Sequence, residues 1–185
     1  REYDVDRHFT PSYNPWDERL CLVPNGDLFK TIRKGKVSVL TETIDRFTSD
    51  GILLKTGEEL RADIVVTATG LNLVTLGEVD FQIDGDQVDF SETWIYKGLA
   101  YSDVPNLIST FGYINASWTL RADINSSYAC RILNHMKKTG AKRATPRLRD
   151  SDMDMPQRNW IEGFSSGYME RSMSEMPKQG DREPW

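Results

Sequence analysis

The stretch ADIVVTATGL, residues 62–71, constrains the fold more than any other part of the chain. Successive side chains of a strand point to opposite faces, so a half-exposed strand alternates apolar with polar residues. Ile64, Val65 and Val66 do not alternate; they are consecutive and apolar. The run predicts an interior strand covered on both faces, as in an α/β sheet. Gly70 then permits a sharp turn or a close pass of backbone, although an ordinary strand-ending glycine fits as well. Strands of this kind usually belong to nucleotide-binding sheets. Yet no two glycines of this chain are spaced G-x-G, and no G-x-x-x-x-G-K-[ST] loop is present.

The segments before this strand read as a β-meander feeding it. Asn25 can cap a short helix that carries Leu28, Phe29 and Ile32 on one side and is closed by Gly35. KVSVL, residues 36–40, reads as a short strand. ETIDRFTSDGILLKTGEEL reads as two strands around Ser49-Asp50-Gly51 and a second turn at Thr56-Gly57. Beyond the buried strand, FQIDGDQVDF suggests a hairpin about Asp84-Gly85, and WIYKGLAY and NLISTF are further candidate strands. The strongest helix lies over 117–139. Leu120, Ile124, Tyr128, Ile132 and Met136 recur every four residues, Gly140 suits the C-cap, and Lys137 and Lys138 suit the negative end of the helix dipole. From 141 onward the chain is polar and broken, as expected of a tail wrapping a surface. A short helix near 167–176 has Tyr168, Met169, Met173 and Met176 as its apolar contacts.

Composition excludes several classes. The 185 residues suit one ordinary domain, and a net charge of -5 argues against nucleic-acid binding. No apolar run reaches membrane-spanning length and no signal peptide opens the chain, so a cytoplasmic location is expected. Cys21 and Cys130 fit two reduced, packed thiols. With His8 and His135 as the only histidines, no familiar Cys/His metal site assembles. No G-x-S-x-G elbow supports a serine hydrolase. A chain opening on Arg1 also reads as a piece of something longer.

Three segments carry a resemblance: DERLCLVPNGDLFKTIRKGKVSV, then DIVVTATGL, then VPNLISTFGYINASWTL. In this order they resemble the C-terminal part of a class B flavin-containing monooxygenase of the Baeyer–Villiger type, in the branch that oxidises ketones and activates thioamide prodrugs. The resemblance covers nearly the whole chain, residues 3 to 185. It implies an α/β fragment of a two-dinucleotide-binding (FAD/NADPH) flavoprotein fold, with β-meander, buried strand and one long helix. Residues 1–67 would be the end of the NADPH-binding domain, 68–140 the returning part of the FAD-binding domain, and 141–185 the tail. Ala68-Thr69-Gly70 would sit at the crossing between the domains. That placement accounts for a nucleotide-type strand without its loop, since both glycine-rich loops would lie upstream. FAD and NADPH are the cofactors implied for the parent; the fragment, inactive alone, should retain neither. Partners are a ketone or sulfur-containing substrate, the missing N-terminal part, and another copy of the fragment.

The resemblance also assigns residues. Arg19 would be the catalytic cation beside the flavin, facing negative charge on reduced oxygen and on the attacked ketone; guanidinium stays charged when partly buried. On the residues alone, Arg19 reads instead as a surface residue paired with Asp17 or Glu18. Gly112, Asn115, Ala116, Ser117 and Trp118 open the long helix, and the family places that helix start against the pyrimidine edge of the flavin. A plain cap by Asn115 or Ser117 needs no ligand. Gly112-Tyr113-Ile114 stands where many relatives have Gly-Pro-x. Trp94, Tyr96, Tyr101 and Trp118 read as core aromatics. The alternatives are a nitrogen- or sulfur-oxidising monooxygenase without ketone chemistry and a non-enzymatic binding domain on the same fold.

Overall fold

A computed structural model of the chain describes residues 3–18, 20–114, 116–163 and 165–185. The described backbone divides into two compact units, one within residues 3–15 and 20–70, the other within 16–18 and 71–185.

In the first unit, helix α1 (Val5–Phe9) begins where the Asp4 carboxylate accepts the Arg7 N–H at 3.0 Å. The Phe9 ring meets Phe29 of helix α2 (Asp27–Arg33) edge-on at 5.7 Å. Gly26, in the left-handed region, is the N-cap of α2 in place of Asn25, and Gly35 at φ 67 follows its end. Three antiparallel strands form the expected meander in the order β1 (Ile44–Phe47), β2 (Gly51–Leu54) and β3 (Glu59–Arg61). Leu54, at 3% exposure, is its best-covered apolar side chain.

Two expected strands do not form in this unit. Residues 36–40 have no ladder partner and run as irregular chain. The interior strand expected at 62–69 is likewise absent. The Ala62 N–H still donates to the Asp50 carbonyl at 3.0 Å, and pairing stops there. Ile64 and Val66 are 82% and 83% exposed. A strand is defined by its neighbours, and an apolar run becomes interior only when strands pair on its edges and side chains cover its faces. Nothing among the described residues does either for this run.

The second unit begins with two hairpins. Strands β4 (Gln82–Ile83) and β5 (Asp86–Gln87) turn through Asp84 and Gly85, at φ 54 and 100. The mirror-image turn matches the strand twist and favours this Asp-Gly pair. WIYKGLAY is itself a hairpin, β6 (Ile95–Tyr96) and β7 (Ala100–Tyr101), because Lys97 and Gly98 both take positive φ. NLISTF forms no strand. Phe90, Tyr101 and Val104 build the core, with Phe81, Ile83, Val88 and Leu107 packed around them. Its rings meet edge to face, Phe81–Phe90 at 5.2 Å and Phe90–Tyr101 at 5.0 Å.

The long helix α3 spans Trp118–Thr139 as expected, closed by Gly140 in the left-handed region. Its burial is one-sided and shallow: Asn125 is its one fully covered residue, while Leu120, Ile124 and Leu133 are 57%, 56% and 63% exposed. The tail forms helix α4 (Gly167–Ser172) and contributes buried Met155, Met169, Met176 and Trp185. It is stitched to the hairpins, with the Lys178 N–H donating to the Thr93 carbonyl and the Ile95 N–H to the Lys178 carbonyl, both at 2.8 Å. Among the described residues no helix is long and apolar enough to cross a membrane.

Candidate functional site

The loop entering α3 is held from below by one buried amide. Asn125, 2% exposed, donates through Nδ2 to the Ser109 carbonyl and to Thr110 Oγ1, each at 3.2 Å. Hydrogen bonds of this kind recover the cost of burying a polar group, and they fix where the loop departs from the core. The Asn125 Oδ1 atom has no partner among the described residues. Ser109 also shares a 2.7 Å hydrogen bond with the Tyr101 hydroxyl. Burial pushes the Tyr101 hydroxyl above its ordinary pKa, with the Ser109 bond acting the other way.

Above this anchor the loop turns apolar. Phe111 lies between two indoles, with ring centroids 4.9 Å from Trp118 and 4.3 Å from Trp160. Gly112 sits directly against Trp118: a Cβ there would lie 2.0 Å from the indole Cγ. The absent side chain of Gly112 is therefore used by a tryptophan of this chain. Gly112→Ala should displace Trp118 from Phe111, costing about 1–3 kcal/mol as an overpacked contact. The check is a fall in the urea midpoint with a shift in tryptophan emission; an unchanged spectrum would refute the contact.

Arg121, in the first turn of α3, ties this loop to the β6–β7 hairpin. It donates from Nη2 to the Lys97 carbonyl at 2.9 Å and lies 5.8 Å from the Tyr113 ring centre. Gly98 leaves room for it, since a Cβ at Gly98 would come within 2.1 Å of the same Nη2. The Arg121 Nε atom is buried without a partner among the described residues. On the far side, Tyr96 meets Trp185 edge-on at 5.3 Å. Burial first, and then its interaction with the Tyr128 hydroxyl, push the pKa of the Tyr96 hydroxyl up to about 12. The Trp185 indole N–H donates to Asp152 Oδ2 at 3.1 Å. The Arg149 backbone N–H and that indole hold the Asp152 carboxyl below its usual range.

Together these elements bound an open groove of about 830 Å³, walled by Phe111, Gly112, Ala116, Trp160 and Trp185, with Arg121 at its side. The structure thus brings Gly112, Ala116, Ser117 and Trp118 to one place. Ser117 caps α3, accepting the Thr119 N–H at 3.4 Å, and Trp118 is 47% exposed. Gly70 is the last residue of the first unit, at φ 106. Arg19 and Asn115 lie outside the described residues. Three groove residues, Arg121, Trp160 and Trp185, escaped the sequence reading. The available signal was two tryptophans within an otherwise polar tail, a composition that asks what covers them.

An isoalloxazine ring would need apolar walls and donors at its electron-rich edge, and both are present. With the Thr119 N–H engaged by Ser117, the helix start still presents the Trp118 and Leu120 N–H groups that no helical carbonyl can reach. A pyrophosphate would need a glycine-rich loop, and this chain has none. The residues fit the ring end of a flavin alone. Among the described residues, no cluster of His, Cys, Asp and Glu is placed to hold a metal ion. Cys21 and Cys130 are free and exposed, not packed as expected. Neither side chain is drawn inward because neither lies on a covered face of its segment.

No protein-family model matches the chain, and no solved structure matches it. It is 54% identical over 183 residues to the FAD-containing monooxygenase EthA of Mycobacterium tuberculosis (strain H37Rv), covering 99% of this chain and 37% of that protein. Against the EthA of Mycolicibacterium smegmatis it is 53% identical over 184 residues, again 99% of this chain and 37% of the relative. Against the "Probable FAD-binding monooxygenase AlmA" of Acinetobacter sp it is 50% identical over 183 residues, 97% of this chain and 36% of the relative. The chain therefore spans little more than a third of the length of the curated relatives it matches.

Proposed function

We infer that this chain, which belongs to the FAD-containing monooxygenase family, is the C-terminal portion of an FAD- and NADPH-dependent monooxygenase. The observation that carries the reading is identity at about half of all positions along essentially the whole chain. At that level, homologous segments share a fold and the placement of their sites. In the parent, FAD when bound supplies the activation of O₂, and NADPH supplies the electrons. The reaction is insertion of one oxygen atom beside a ketone carbonyl, or its transfer to sulfur.

The roles of this chain's own residues follow from the groove. The α3 start presents its N–H groups to the electron-rich edge of the ring, where negative charge accumulates on reduction. Phe111, Trp160 and Trp185 supply the apolar wall against which the ring would lie. Arg121 holds Tyr113 and the Lys97–Gly98 turn in place as the wall of the groove. Arg19 is the cation that faces the oxyanion of the attacked ketone. Exposed Ile64, Val66, Leu120 and Ile124 are then surfaces that the rest of the parent covers. The assignment of 1–67 to the NADPH-binding domain and 68–140 to the FAD-binding domain belongs to the same reading.

The test is the full-length protein under ¹⁸O₂ with NADPH and either a ketone or a thioether. One labelled oxygen in an ester or a sulfoxide is the expected result; NADPH consumed with no label in either product would overturn it. A second expectation concerns the 185-residue chain by itself. FAD titrated into it should keep its free fluorescence and elute separately, because no loop here can hold the pyrophosphate. A stoichiometric yellow complex would contradict this.

A further inference from the structure

The charges of the second unit are segregated. Between Asp123 and Asp150 there is no acidic residue, and Lys137, Lys138, Lys142, Arg143, Arg147 and Arg149 fall in the last half of that interval. Conversely, no Lys or Arg lies between Arg61 and Lys97, an interval holding Glu78, Asp80, Asp84, Asp86, Asp89 and Glu92. A chain with a net charge of -5 therefore carries a cationic strap and an anionic hairpin on one compact unit.

Both patches are displayed on fixed backbone. The strap runs from the last turn of α3 into the segment beyond it, which is pinned to the 103–106 turn. The Asn106 N–H donates to the Ala144 carbonyl at 2.9 Å, the Asp103 N–H to the Pro146 carbonyl at 2.9 Å, and the Ala144 N–H to Asn106 Oδ1 at 3.0 Å. Its six cations are all exposed, and one of them makes an ion pair among the described residues, Arg147 with Asp103 at 3.8 Å. The hairpin is pinned from the other side. Phe81 and Ile83 face the core, so strand alternation turns Asp80 and Asp84 outward, and Asp86, next to the turn, is exposed as well. Of its acids, Glu92 is paired, with Lys178 at 2.5 Å. No ion pair among the described residues joins strap to hairpin within one copy.

We propose that the cationic strap is a docking surface for the anionic β4–β5 hairpin of a second copy of this chain. Complementary charge is present on both halves of such a contact, whereas a lipid surface or a nucleic acid would match the strap alone and leave the anionic hairpin without a partner. The two patches differ, so the contact is head-to-tail, and each pairing leaves a free strap and a free hairpin for further copies. Screening acts strongly on exposed charges, whose interaction fades beyond about 8 Å at physiological ionic strength.

Sedimentation of the full-length protein from low to high salt tests this. The expected result is concentration-dependent growth at about 25 mM NaCl and a weakening of association by roughly ten- to a hundredfold at about 500 mM, the scale of several exposed ion pairs acting together. Reversing the strap (Lys137→Glu, Lys138→Glu, Lys142→Glu, Arg143→Glu) should abolish growth. So should reversing the hairpin (Asp80→Lys, Asp84→Lys, Asp86→Lys). Mixing the two reversed proteins should restore pairing, which also shows that both fold. Association unaffected by salt, a strap variant that still associates, or a mixture that stays apart would overturn the proposal. Reversal that spares self-association but removes binding to phosphatidylglycerol vesicles would also overturn it and give the strap to a membrane.

Discussion

Arg19→Ala in the full-length protein is expected to lower the product formed per NADPH consumed by about a hundredfold or more, while NADPH oxidation continues. Hydride transfer to a flavin needs the nicotinamide against the ring and has no use for a cation on the oxygen side. Oxygen insertion into a ketone develops an oxyanion in a site shielded from water, where a fixed positive charge is worth far more than in solution. Without it the reduced oxygen should leave as hydrogen peroxide. Arg19→Lys should recover little, because a flexible ammonium does not reproduce a planar two-pronged donor. The measurement is the ratio of oxygenated product to NADPH oxidised, with peroxide assayed in parallel. Coupling equal to the unaltered protein would make Arg19 a surface residue paired with Asp17 or Glu18.

Gly51→Ala should have the largest effect on stability in the first unit. Gly51 opens β2 at φ 153, and a Cβ there would lie 2.0 Å from the Leu60 carbonyl oxygen and 3.0 Å from the Ala62 nitrogen. These are backbone atoms of the paired strand, where Gly51 faces Arg61 in the ladder, so no side-chain rotation relieves the clash. Overpacking and backbone strain together should cost about 3 kcal/mol or more. Gly57 provides the comparison: its φ is 87, yet nothing lies within 4 Å of its added Cβ. Gly57→Ala should therefore cost only about 1 kcal/mol, from the dihedral alone. Equal urea midpoints for the two variants would deny the close approach of β2 and β3.

That contrast is instructive about turn glycines. In the sequence both positions read alike, as turns between apolar runs. Only the pairing of β2 with β3 decides that one glycine faces open space and the other a carbonyl. The same division runs through the candidate site. The start of α3 was legible because a cap, a four-residue apolar period and a closing glycine all lie within one continuous segment. Gly112, Ala116, Ser117 and Trp118 were grouped for the same reason: they are neighbours in the chain. Arg121 was not, because its partners are the Lys97 carbonyl 24 residues upstream and the Tyr113 ring, contacts that no local pattern announces. Trp160 and Trp185 entered the groove from a tail whose polarity predicted a surface.

The sequence by itself determined the elements whose cause is local: the meander, the Asp84-Gly85 hairpin and the capped helix from Trp118 to Thr139. Dihedral preferences, strand alternation and helix periodicity act over a few residues, so a few residues suffice to specify them. The motifs of the three quoted segments likewise carried the resemblance to flavin-containing monooxygenases before any contact was known. Tertiary structure alone decided what is covered and by what. Asn125 became the buried anchor of the loop while Leu120 and Ile124 on the same helix stayed exposed. Ile64, Val65 and Val66 have an interior strand's composition but no strand beside them among the described residues. Burial belongs to a pair of surfaces, and one sequence states the chemistry of only one of them.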